Sequence, residues 1–263
     1  MRQTAVNWTQ REVTVAGLPF MYRESGDGVS LLILPHETGL PPFTPFQDDL
    51  AQDHRVIIPT YPGFDGSIRA DWMKSVRDLA VCIGYLIDKL KLHPSALIGL
   101  GFGGWVAAEL ATMRPTQFQY LALIGSFGLQ PLKGEILDQF LLSHEDYVIK
   151  GFYDKKSYPK AYGGKATIEQ LVQWDINREM TARIAWKPYM FSQTLSDLLC
   201  ELDLLTLVAW GREDEIVPLE CAHRLIKILP NARLKVYESA GHFLELEKPV
   251  ALADAIRELN AVR

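Results

Sequence analysis

The chain has 263 residues, 48% of them hydrophobic and 22% charged, with a formal net charge of -5. That balance suits a globular protein with a substantial core, and the scatter of its charges excludes a basic stripe for nucleic acid or anionic lipid. The opening MRQTAVNWTQ lacks the apolar stretch of a secretory leader, and no apolar run nears the roughly 18 residues of a membrane span, so a cytoplasmic protein with neither nucleic-acid nor membrane partners is expected.

Short alternating runs at Glu12 to Ala16 and Phe20 to Arg23 predict edge strands, and the apolar run Leu31 to Leu34 predicts a central one. Further strands are predicted at Arg55 to Pro59, Ser95 to Leu100 and Tyr120 to Ile124. Between them, Asp71 to Leu92 and Trp105 to Met113 carry helical periodicity, the second stopped by Pro115. Strands alternating with helices imply a mostly parallel sheet with helices on both faces.

The alternation breaks from about Phe127 to Asp203, where Glu135 to Leu142, Thr167 to Met180 and Thr181 to Met190 read as helices rich in aromatics. It resumes with a strand at Leu204 to Trp210, a helix at Pro218 to Leu229, a strand at Arg233 to Tyr237 and a closing helix at Val250 to Ala261. The expected organisation is one α/β core, residues 1–126 and 204–263, with a helical cap inserted at 127–203. Cys82, Cys200 and Cys221 stand far apart with no CxxC or His-rich neighbour, so neither a disulfide framework nor a zinc site is indicated.

In open parallel sheets, ligands bind beyond the carboxyl ends of the strands, so the loops there carry the chemistry. After Leu100 the chain reads Gly101-Phe102-Gly103-Gly104 and runs straight into a helix. After Trp210 it reads Gly211-Arg212-Glu213-Asp214, after Tyr237 it reads Ser239-Ala240-Gly241-His242-Phe243, and after Leu34 it reads Pro35-His36-Glu37-Thr38-Gly39.

The first of these loops resembles the G-x-S-x-G nucleophile elbow of α/β-hydrolases, with Gly101 where the family has its serine. The resemblance covers nearly the whole chain. It implies the α/β-hydrolase fold, an eight-stranded, mostly parallel sheet with helices on both faces and an inserted cap. It implies Asp214 as triad acid and His242 as triad base, in the family's chain order. The loop after Leu34 replaces the usual His-Gly-x-Gly, so the backbone N–H groups of Glu37 and Phe102 are the implied oxyanion donors. Taken alone, the Glu37 side chain reads as a solvent-facing loop carboxylate; the alternative is a carboxyl facing the site as a proton donor. Thr60 stands where the family's segment after the fourth strand has Asp.

The cap resembles those of carbon–carbon bond hydrolases and related small-substrate enzymes. His36, Arg178, Trp186, Tyr189 and Phe243 are the candidate substrate contacts, although an aromatic stripe at helical spacing is commonly core. No cofactor and no metal is implied. The expected partner is a small carbonyl compound.

Glycine has no atom to form an acyl-enzyme. Three readings stay open: an inactivated serine hydrolase, an enzyme using His242 as a base without a serine, and a ligand-binding protein of the same fold. On the resemblance, Gly101→Ser is expected to rebuild esterase activity.

Overall fold

The computed structural model describes residues 6–42, 44–94 and 96–260. Its sheet contains β1 (Thr9–Val15), β2 (Leu18–Ser25), β3 (Ser30–Leu34), β4 (Arg55–Pro59), β5 (Ala96–Leu100), β6 (Tyr120–Ile124), β7 (Leu205–Gly211) and β8 (Ala232–Tyr237). They lie in the order β1-β2-β4-β3-β5-β6-β7-β8, antiparallel from β1 to β4 and parallel from β4 to β8. This is the eight-stranded α/β-hydrolase sheet that the sequence leads one to expect.

The apolar strands are buried because alternate side chains serve two cores. Leu32, Leu34, Leu97, Leu121, Leu123 and Val208 belong to one cluster, with α2 (Val76–Lys89), α3 (Phe102–Met113) and α8 (Leu219–Ile228). Leu31, Ile33, Ile98, Ala122, Ile124 and Leu207 belong to the other, with α1 (Pro45–Leu50) and α10 (Pro249–Asn260).

The helix expected from Asp71 begins later, at Val76, because Ser75 caps it. Ser75 Oγ accepts from the Asp78 N–H at 3.1 Å, and the Asp78 carboxylate accepts from the Ser75 N–H at 3.0 Å. This reciprocal box satisfies two N–H groups that the helix itself leaves unpaired. Ser75→Ala is expected to lower stability by about 1 kcal/mol, read as a shift in the urea midpoint at constant slope.

Between β6 and β7 run α4 (His144–Lys150), α5 (Tyr158–Tyr162), α6 (Ile168–Ala185) and α7 (Leu195–Leu199). The helix expected over Glu135 to Leu142 shrinks to a single 3-10 turn at Gln139–Leu141, and the two expected around Met180 are one helix, α6. A third cluster of Val148, Phe152, Tyr158, Ala161, Trp174 and Phe243 packs this inserted segment against the loop after β8. There, α9 (Leu244–Glu247) begins two residues after His242, with Phe243 at its N-terminal cap position. Among the described residues no helix is long and apolar enough to cross a membrane.

Candidate active site

Gly101 joins β5 to α3 with φ at +50°, a backbone state that L side chains rarely adopt. Two residues on, a Cβ at Gly103 would stand 2.1 Å from the Leu34 carbonyl oxygen, so glycine there lets the loop after β3 lie directly on the first turn of α3. These two positions bring the loops after β3 and β5 together. The loops after β7 and β8 complete the site.

Asp214 is held rigidly by its own loop, its Oδ1 accepting from the N–H groups of Ile216 at 2.8 Å and Val217 at 2.9 Å. Its Oδ2 lies 2.8 Å from His242 Nδ1, and both side chains are fully buried. A carboxylate accepts, so the network assigns the proton to Nδ1 and leaves a lone pair on Nε2. That nitrogen is buried without a hydrogen-bond partner and lies 2.9 Å from where a Cβ at Gly101 would stand. Burial acts to lower the His242 pKa, but the charge and hydrogen bond of Asp214, helped by Glu37 and Glu245, outweigh it and hold it above the ordinary value.

The space over Gly101 is already taken. His36 Nδ1 lies 2.2 Å from the Cβ position of Gly101, closer than any real side chain allows. The ring meets His242 edge-on at 5.1 Å and Phe243 at 4.9 Å, and its Nε2 stands 3.2 Å from Glu245 Oε1. A serine Cβ and the present His36 ring claim the same volume, so the expectation that Gly101→Ser by itself rebuilds an esterase requires that ring to shift.

Glu37 is 1% exposed, which overturns the solvent-facing reading of its side chain. Tyr147 donates its hydroxyl to Glu37 Oε1 at 2.8 Å. Burial and the Glu37 charge push the Tyr147 hydroxyl well above its usual range, so it remains a donor. Tyr147→Phe is expected to cost about 1–3 kcal/mol, because it strands a buried carboxylate oxygen, and a thermal unfolding comparison checks it.

Arg178 lines a narrow cleft with Glu37, Thr38, His144, Tyr147 and Trp174, and donates to the Leu142 carbonyl at 3.1 Å. The cleft has about 10 Å³ of free volume, the lower limit for one water. Tyr189 uses its hydroxyl within the inserted segment, accepting from the Gln139 N–H at 2.9 Å and donating to the Leu137 carbonyl at 3.1 Å. Trp186 is 43% exposed and packs on Phe140 and Tyr189. Phe102 buries its ring against Phe64 and Trp105, and as the first residue of α3 it has a backbone N–H outside the helical pairing pattern. Thr60 lines a separate open cleft with Arg23, Asp65 and Gln173.

Sequence reasoning missed Tyr147 and Glu245. Glu245 lies three residues after His242 on the helical turn that follows it, which was the one local signal for it.

The profile of the alpha/beta hydrolase family matches residues 31–255, and the chain belongs to that family. It is 26% identical over 265 residues to the 2-hydroxymuconate semialdehyde hydrolase of Pseudomonas sp. strain CF600, covering 95% of this chain and 93% of that one. It is 27% identical to the 2-hydroxy-6-oxo-6-phenylhexa-2,4-dienoate hydrolase of Comamonas testosteroni, covering 86% of each. Among solved structures, a bacterial membrane phospholipase A superposes with a TM-score of 0.80 at 20% identity, covering 97% of this chain and 86% of that one. The 2-hydroxy-6-oxo-6-phenylhexa-2,4-dienoate hydrolase of Rhodococcus sp. strain RHA1 gives 0.78 at 20% identity, covering 98% and 100%. At such identity these structures support the fold alone.

Proposed function

We propose that this chain is an enzyme that cleaves an ester or carbon–carbon bond of a small carbonyl compound beneath the inserted helices, using His242 as general base and no serine nucleophile. The observation that carries this reading is the fully buried His242–Asp214 pair, whose outer nitrogen is unpartnered beside Gly101. A neutral imidazole so oriented takes a proton from water attacking the carbonyl, while the N–H groups of Glu37 and Phe102 receive the developing oxyanion. As the adduct collapses and the ester or carbon–carbon bond breaks, the imidazolium returns the proton to the departing oxygen or carbon. Likeness to a 2-hydroxymuconate semialdehyde hydrolase and a 2-hydroxy-6-oxo-6-phenylhexa-2,4-dienoate hydrolase, at 26% and 27% identity, supports the carbonyl class. Arg178 is the cation that a carboxylate on such a substrate meets in the cleft.

A second reading, a binder without turnover, draws on the absence of any nucleophilic atom at Gly101 and the His36 ring above it. An inactivated serine hydrolase is the third, tested by Gly101→Ser with and without the His36 ring. Chelator-dialysed protein is assayed on 2-hydroxy-6-oxo-dienoates and p-nitrophenyl esters, beside His242→Ala, with ligand binding followed by calorimetry. The enzyme reading requires turnover that falls by roughly 10²- to 10⁴-fold in His242→Ala. Binding without turnover in the parent assigns the protein to the second reading.

A further inference from the structure

We infer that His36, Glu37 and His242 form a site for one divalent transition-metal ion of the zinc class. The three side chains are 3%, 1% and 0% exposed, and their candidate ligand atoms all lie within 4.8 Å of one another. His36 Nδ1, Glu37 Oε2 and His242 Nε2 are each buried without a hydrogen-bond partner. Buried polar atoms are normally satisfied, and leaving three unpaired in one place is costly. One cation satisfies all three.

Of the atoms not facing this point, those of His242 and Glu37 are hydrogen-bonded as in metal ligands, whereas His36 Nε2 is near Glu245 without a hydrogen bond. His242 Nδ1 rests on Asp214 Oδ2 at 2.8 Å, His36 Nε2 stands 3.2 Å from Glu245 Oε1, and Glu37 Oε1 accepts from Tyr147 at 2.8 Å. Carboxylates behind imidazoles fix ring orientation and raise basicity toward a metal. Gly101 fits the same picture: a Cβ there would stand 2.2 Å from His36 Nδ1 and 2.9 Å from His242 Nε2, filling the gap between the two rings.

Two imidazoles and a carboxylate suit zinc and its neighbours rather than magnesium or calcium, which prefer oxygen alone. Bond lengths of about 2.0–2.2 Å ask each donor to move inward by at most roughly 0.7 Å, and three protein ligands leave one tetrahedral position for a water or substrate oxygen. The sequence offered no sign of this, since 36 and 242 lie on separate loops and lack any short metal-binding spacing.

The ion and the catalytic reading use the same nitrogen, so metal-bound protein is expected to be inactive and the site is tested apart from turnover. An ion on Nε2 takes the lone pair that a base needs, which is why turnover is assayed on chelated protein and the ion is tested by binding alone. Full-length, chelator-dialysed protein is titrated with Zn²⁺ by calorimetry and with Co²⁺ by visible absorption. The expected result is one equivalent per chain with the intense bands of tetrahedral cobalt and no thiolate charge transfer. His36→Gln and His242→Ala should each abolish it. Asp214→Asn should weaken it by about 10- to 100-fold, while Cys200→Ser should leave it unchanged. Zn²⁺ should also raise the melting temperature of the parent, a readout that needs no variant to fold. Absence of stoichiometric binding to the parent, or binding that His36→Gln and His242→Ala leave unaltered in folded protein, overturns the site.

Discussion

Gly101→Ser alone is expected to yield a protein that fluorophosphonates do not label, whereas Gly101→Ser combined with His36→Gly is expected to label stoichiometrically. The single variant forces a Cβ to within 2.2 Å of His36 Nδ1. That ring has little room to retreat, being 3% exposed and wedged between His242 and Phe243. Overpacking should cost about 1–3 kcal/mol. A non-glycine residue at φ +50° and ψ -112° adds about 1–3 kcal/mol of backbone strain. Removing the His36 ring relieves the first cost and opens space over the elbow. The serine oxygen then falls beside His242 Nε2, which at 2.9 Å from the Cβ position must itself give slightly. Intact-mass spectrometry reads the adduct, and adding His242→Ala to the double variant should remove it. Equal labelling of the single and double variants would show that His36 is no obstacle, and a folded double variant that stays unlabelled would sink the reading of Gly101 as a vacated nucleophile position.

Asp214→Asn is expected to reduce turnover by roughly 10²- to 10⁴-fold and to move its pH dependence. An asparagine still accepts from the Ile216 and Val217 N–H groups, but its amide faces Nδ1 with a donor and favours the wrong tautomer of His242. In the parent, burial is outweighed by Asp214, so the histidine stays charged to a higher pH than an ordinary one. A base works when neutral, so kcat/KM should climb with pH along a limb lying above about 6.5, the usual histidine value, and the variant's limb should move to lower pH. The stability consequence has a definite sign. With the folded pKa raised, the charged pair stabilises fully below the unfolded value near about 6.5, and this is lost as pH rises through the folded value. Denaturant midpoints across that window should fall in the parent and flatten in Asp214→Asn. An identical slope in both proteins would mean that the pair does not govern the titration.

The strands and the order of the site loops were legible because their signals are local. Leu31 to Leu34 and Tyr120 to Ile124 are apolar throughout, as only strands covered on both faces need to be, and both lie in the sheet where expected. Asp214 and His242 were singled out by the family resemblance, on loops that follow β7 and β8 within a few residues. Helix ends were less so: Ser75 stops the Asp71 pattern through a side-chain cap, and periodicity alone does not register a cap. Trp186 reads as a pocket residue by its type but stands 43% exposed, since which face of an inserted helix turns inward depends on what packs there.

Only the tertiary structure decided what occupies the centre of the site. The run Pro35-His36-Glu37 says nothing by itself about Gly101, which is 65 residues away, or about His242, which is 206 away. Parallel pairing of β3 with β5, and of β5 through to β8, brings the ends of those strands to one edge of the sheet, and the glycine at 103 lets one loop lie upon the next. Burial of Glu37, its bond to Tyr147, and the His36 ring above Gly101 follow from that closure. Local sequence determines strands, turns and the chemistry each loop carries, but the meeting of loops is a property of the closed sheet, because contacts so distant in the chain are set by packing and not by any pattern among neighbours.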